Sequence, residues 1–132
     1  MASVGTHKQP AKARKEEAKK AIRASLDTYN QSPRKVRLVT DLVKGKKAED
    51  AIAELSFLSK RAAEPVKKLI QSAVANAKDR GEDASTLRIE DIRVDSAGML
   101  VRFMPRAMGR AAPIRKRRSR IVVRLTADSK SA

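Results

Sequence analysis

The chain has 132 residues, with 31 Lys or Arg against 15 Asp or Glu, for a formal charge of +16. The length fits one domain, and no apolar run approaches the ~20 residues of a membrane span. The absence of cysteine excludes disulfides and thiolate metal sites, and a single histidine, His7, argues against an imidazole-based metal site.

Residues 1–20 carry six basic and two acidic groups and no apolar stretch. They read as a flexible basic extension without a secretory h-region, which predicts a cytoplasmic protein. A single domain is expected over residues 21–126 and a short tail over 127–132. Ile22, Ala24, Leu26 and Thr28 alternate and predict a strand. Ser32-Pro33 reads as a cap followed by proline at the first helical position. Val36, Val39, Leu42 and Val43 then form the apolar stripe of a helix that Gly45 stops. A second helix carries Ala48, Ala51, Ile52 and Leu55 on one stripe. A third runs from near Ser59 to about Arg80, burying Ala63, Val66, Leu69, Ile70, Ala73, Val74 and Ala77. Pro65 either kinks it or moves its regular part to begin at Glu64. Beyond the polar turn 81–85, Leu87 and Ile89 alternate in one register and Ile92 and Val94 in the other, so Glu90-Asp91 is predicted to be a bulge. Extended character resumes over Met99 to Met104 and again over Arg120 to Thr126. Pro105, Gly109 and Pro113 lie between them, and the simplest connection is a long antiparallel hairpin spanning 87–126.

The charge is unevenly distributed. Residues 1–20, 21–45 and 46–80 hold +4, +3 and +3, residues 81–98 hold −3, and residues 99–124 hold nine basic groups with no acid. Eight of those nine are Arg, whose flat, forked donor set grips phosphate in two places. From Arg93 to Gly109 the extended chain reaches about 50 Å at ~3.3 Å per residue, against a radius of gyration of ~13 Å for a body of about a hundred residues. The distal arm therefore cannot lie on its own domain. An arm of this length without acids needs a polyanion to order it.

The candidate binding residues follow from this distribution. Arg34, Lys35 and Arg37 occupy the start of the first predicted helix, where positive side chains oppose the helix dipole and an anion would be welcome. Lys60 and Arg61 repeat the arrangement at the start of the third. Arg102, Arg106, Arg110, Arg115, Lys116, Arg117, Arg118 and Arg120 line the arm. With only three aromatics, Tyr29, Phe57 and Phe103, a module built on aromatic base-stacking platforms is not expected.

Catalytic patterns fail one by one. Ser32 and Lys35 have the spacing of a serine/lysine acylase, but its companion motifs are absent. Gly45-Lys46 lacks the glycine five residues upstream that a phosphate-binding loop needs, since Thr40 stands there. Glu49-Asp50 and Glu90-Asp91 are adjacent acids whose side chains diverge. No enzyme, cofactor or metal is expected. Composition alone leaves two nucleic-acid partners open, RNA and DNA. For DNA, the model would be an architectural protein whose basic β-ribbon wraps a duplex groove.

Four segments carry a resemblance to a known family: SPRKVRLVTDLVKGKKAEDA from Ser32, KRAAEPVKKLIQSAVANA from Lys60, IRVDSAGMLVRFMPRAMGRA from Ile92 and IRKRRSRIVVRL from Ile114. In order and spacing the chain resembles bacterial ribosomal large-subunit protein twenty-two over about residues 22–126. The resemblance implies an α+β fold, a small body of three helices and three strands from which a long β-hairpin protrudes. It also implies binding to the large-subunit (23S-type) rRNA, help in assembly, and a hairpin tip that lines the nascent-peptide exit tunnel. The implied partners are that rRNA, neighbouring ribosomal proteins and, transiently, the nascent peptide, with no membrane and no homo-oligomer. By position the tunnel-facing tip is Arg102 to Ile114, with Arg106, Met108, Gly109, Arg110 and Ala111 nearest the lumen. Val101 and Met108 stand where the family commonly has basic residues, and Arg120 where it usually has His, Asp or Asn.

Overall fold

A computed structural model describes residues 11, 12 and 21–127. The predicted extension over 1–20 lies outside the described residues except for 11 and 12, as does the tail from 128. In chain order the elements are β1 (Ile22–Tyr29), α1 (Pro33–Val43), α2 (Ala48–Phe57), α3 (Ala63–Asp79), β2 (Leu87–Pro105) and β3 (Ala111–Ala127). This is the α+β arrangement expected, three helices and a three-stranded antiparallel sheet ordered β1-β3-β2.

The helices cover one face of the sheet. Ile22 and Ala24 of β1, Leu87, Ile89, Ile92 and Val94 of β2, and Ile121, Val123 and Leu125 of β3 form one cluster with the helix stripes. Leu87 and Ile89 share a face with Ile92 and Val94 because the register shifts between Ile89 and Asp91, the bulge predicted at Glu90-Asp91. The edge of β2 is covered by the α1–α2 connection, where Ile89 N–H donates to the Lys46 carbonyl at 2.9 Å, which protects a strand edge from stray pairing.

Three local expectations are corrected. Leu42 is 46% exposed and Thr40 is buried in its place. Val36, Val39, Thr40 and Val43 make the stripe, and at 100° per residue Leu42 sits about 110° from its centre. Thr28 is exposed, because a register shift between Leu26 and Tyr29 turns Tyr29 toward the core instead. The third helix starts at Ala63, beyond Lys60 and Arg61, which lie in the turn before it. Pro65 therefore falls in the first turn, where N–H groups have no helical partner to lose. The first bond closing a full α-turn there is Val66 N–H to the Ala62 carbonyl at 3.2 Å.

The hairpin leaves the body soon after the core ends. The last buried residue of β2 is Val94 and the first of β3 is Ser119. A second register shift between Ser96 and Met99 sits at this exit, with Gly98 at φ 87°. Pairing then continues from Met99↔Arg117 to Pro105↔Ala111. From Ser96 to Met108 the arm extends about 40 Å at ~3.3 Å per residue.

Candidate nucleic-acid interface

The first turn of α1 contains no acid, and Arg34 and Lys35 are exposed on it. Its backbone offers less to an anion than the sequence suggested. Pro33 has no N–H, the Ser32 side chain makes no capping bond, and the Lys35 and Val36 N–H groups both donate to the Ser32 carbonyl at 3.1 and 3.2 Å. The side chains carry the positive character here.

Tertiary packing sets this helix start against the root of the arm. An open cleft of about 620 Å³ is lined by Asn30, Gln31, Ser32, Lys35 and Arg61 on the body and by Leu100, Lys116, Arg117 and Arg118 on the hairpin. A second, of about 510 Å³, lies between Ser32 to Lys35 with Arg37 on one side and Ser96 with Arg117 on the other. Ser32, Lys35 and Arg117 line both, and neither is lined by an acid. Seven of the predicted binding residues, Arg34, Lys35, Arg37, Arg61, Lys116, Arg117 and Arg118, are thus gathered from three parts of the chain. Like charges so close repel one another, and a phosphate between them turns the repulsion into attraction. Gln31 Oε1 and Arg118 Nε are buried beside the cleft with no hydrogen-bond partner among the described residues, so polar capacity there is unused. Lys60 joins Lys35 and Arg61 around a smaller hollow of about 280 Å³ floored by Leu38, Val39 and Ala62.

Along the arm, cations oppose apolar residues. Directly facing pairs are Met99 with Arg117, Leu100 with Lys116, Val101 with Arg115 and Arg102 with Ile114. Facing residues share a side of the ribbon, so in these four pairs each cation stem lies beside an apolar neighbour, whereas at the tip turn Arg106 and Arg110 come opposite each other. Side chains alternate along the strands, so both sides carry positive charge. At the tip the Arg106 N–H donates to the Arg110 carbonyl at 2.7 Å, and Met108 and Gly109 take φ values of 62° and 68°. Glycine accepts that region readily and methionine does not. Met108 is 96% exposed.

Two predicted binding residues also have partners within the chain. The Arg37 guanidinium donates to the Val94 carbonyl at 2.9 Å, tying α1 to β2. Arg120 Nε lies 3.1 Å from Asp27 Oδ1 on the neighbouring strand. Arg102, Arg106 and Arg110 stand out on the arm, apart from the cleft. Sequence reasoning missed Asn30, Gln31, Ser96 and Leu100 as cleft residues, and nothing in their spacing marks them. No group of three or more metal-ligating side chains occurs among the described residues.

Comparison with known proteins agrees with this geometry. Over 108 residues the chain is 51% identical to large ribosomal subunit protein uL22 of Pelobacter propionicus, covering 81% of this chain and 96% of that protein. It is 55% identical over 93 residues to uL22 of Desulfitobacterium hafniense strain Y51, covering 70% and 82%. Against uL22 of Myxococcus xanthus it is 46% identical over 110 residues, covering 81% and 96%. The profile of one family, ribosomal protein L22p/L17e, matches residues 24–126, which takes in the body, the cleft and the whole arm. The chain belongs to the ribosomal protein L22p/L17e family.

Proposed function

We propose that the chain is a structural constituent of the large ribosomal subunit that binds the large-subunit rRNA, aids its assembly and extends its hairpin tip into the nascent-peptide exit tunnel. The observation that carries this is the acid-free surface that runs from the α1 start through the cleft and out along the arm. Arg34, Lys35, Arg61 and Lys116 to Arg118 hold phosphates where the arm leaves the body. Both sides of the ribbon meet RNA, and the cations on each side neutralise the segments between which the arm is threaded. The tip is slim, with Ala107, Gly109, Ala111 and Ala112 flanking Met108 and Arg110, which suits a wall between RNA and a moving peptide. Neighbouring ribosomal proteins and the nascent chain are its other contacts, and the subunit places it in the cytoplasm. Membership in a ribosomal-protein family argues against an enzyme.

Phosphate contacts make affinity salt-dependent, because each one releases counterions. With six to ten phosphates engaged, affinity for large-subunit rRNA is expected to fall by about 10³ to 10⁵ between 50 and 200 mM salt. A flat response in a binding titration would refute the proposal. Sedimentation with large subunits, retained in high salt once assembled, is the companion observation. An architectural DNA-binding role draws less support, since such proteins pair through an apolar helical face and the buried stripes of α1, α2 and α3 are used against their own sheet.

A further inference from the structure

Phe57, the last residue of α2, is 91% exposed. A phenylalanine ring held in water forgoes the stabilisation that burying such a side chain contributes. The helix does not need it outside: Leu55 is buried and Leu58 packs on the core, so the chain is anchored on both sides of Phe57. The surroundings are basic. Lys60 and Arg61 follow within one exposed turn, and with Lys35 they line a hollow that holds no acid. The acid one turn back on α2, Glu54, is held by Lys46, and Asp50 lies two turns back. A flat apolar ring followed three and four residues later by exposed cations matches an unstacked nucleotide, whose base offers a π-face and whose flanking phosphates offer charge.

We infer that Phe57 stacks on an unpaired base of the large-subunit rRNA while Lys60 and Arg61 hold the phosphates beside that base. This rests on the rRNA-binding role proposed above and adds a contact of a different kind to the phosphate contacts of the cleft and arm. Lys60 and Arg61 lie three and four steps along the chain from Phe57, at most about 14 Å of extended backbone, which side chains of this length bring within the span of one or two nucleotides. The single ring does not make this a platform module. It fixes one base at the end of one helix.

The test places a photoreactive benzoylphenylalanine at position 57, and separately at position 103 on the arm, in the full chain assembled into large subunits. An adduct from position 57 to an rRNA nucleotide is expected. An adduct to a neighbouring ribosomal protein overturns the inference, and so does silence at 57 when position 103 crosslinks to rRNA. Silence or protein-only adducts at both positions would overturn the rRNA-binding role itself, and the inference with it. In binding titrations with large-subunit rRNA, Phe57→Ala is expected to weaken affinity about 5- to 150-fold, the range of losing one base stack. Phe57→Tyr should stay within about twofold, and both variants should keep the wild-type melting curve, since the ring is outside the core. Equal affinity for Phe57→Ala and wild type would overturn the stack.

Discussion

Strands β2 and β3 pass through two environments, and their facing residues change where the environment does. Within the body, Asp91 faces Arg124 and Asp95 faces Arg120, while Val94, Ile92 and Ile89 face Ile121, Val123 and Leu125 across the buried side. Charge is balanced and apolar surface is covered. Beyond the shift at Ser96 and Met99 the acids stop, Arg102, Arg115, Lys116 and Arg117 face apolar residues, and Met99, Val101, Phe103 and Met104 are between 46% and 74% exposed. The body carries its own reasons for being folded; the arm has a hydrogen-bonded ladder and little else. A two-stranded ribbon is marginal in water, and in the proposed function the rRNA supplies what the arm lacks. Of the five acids in the stretch 81–98, Glu90, Asp91 and Asp95 lie on the part of β2 that the body keeps, and Glu82 and Asp83 precede the strand.

This contrast predicts that the two regions fail differently. Replacing Arg115, Lys116, Arg117 and Arg118 together by Gln should lower rRNA affinity by orders of magnitude and make the log–log salt slope shallower by about 3 to 4. The melting transition should move little, because Arg115, Lys116 and Arg117 are exposed, Arg118 is half-buried but outside the core, and surface substitutions usually stay within about 0.5 kcal/mol each. A large loss of stability would mean that the arm is part of the core after all.

Core truncation gives the opposite signature. Ile70→Ala and Ile121→Ala each remove side chains with 0% exposure and should cost about 2–5 kcal/mol in denaturant unfolding. The salt slope of the fraction that still folds should be unchanged. Phe103→Ala on the arm is the control, and its unfolding midpoint should match the wild type.

Arg37 tests the boundary between the regions. Its bond to the Val94 carbonyl is partly buried, so Arg37→Ala should cost about 1–2 kcal/mol in the absence of RNA. Lys35→Ala, one step away on the exposed side, should weaken only rRNA binding. Equal unfolding midpoints for the two variants would show that Arg37 serves RNA alone.

The smallest effect is expected at the tip. Met108 holds φ 62°, a conformation that disfavours side chains with a Cβ by about 1–2 kcal/mol. Met108→Gly removes that strain but adds freedom to the unfolded chain. Amide exchange at Arg106, whose N–H closes the tip turn, should therefore slow by less than about tenfold. Faster exchange would show that the methionine side chain itself holds the turn.

Much of this protein was legible from local pattern. The bulge at Glu90-Asp91 follows from the switch of apolar alternation, because a pleated strand can keep Leu87, Ile89, Ile92 and Val94 on one side only by inserting a residue. The helices follow from 3.6-residue periodicity, and the arm from the contrast between its reach and the size of the body. The misplacement of Leu42 has an equally local cause. Hydropathy ranks leucine above threonine, yet geometry puts Thr40 on the stripe, where its hydroxyl is met by the Arg37 carbonyl at 3.2 Å.

The cleft was not legible in this way. Arg34, Arg61 and Lys116 to Arg118 are candidates as separate basic runs, and no spacing says that they face one another. The sequence by itself determined the elements, the sign and location of the charge, and the arm's reach beyond the body, since these depend on residue type and on distances along one strand or helix. Only the tertiary structure decided that α1 begins beside the root of the hairpin, that Arg37 and Arg120 are shared with Val94 and Asp27, and that Phe57 is left outside. Those outcomes depend on how three helices pack on one face of a sheet, which brings together residues up to about a hundred positions apart, such as Ile22 and Leu125, by burying apolar area that no local window contains.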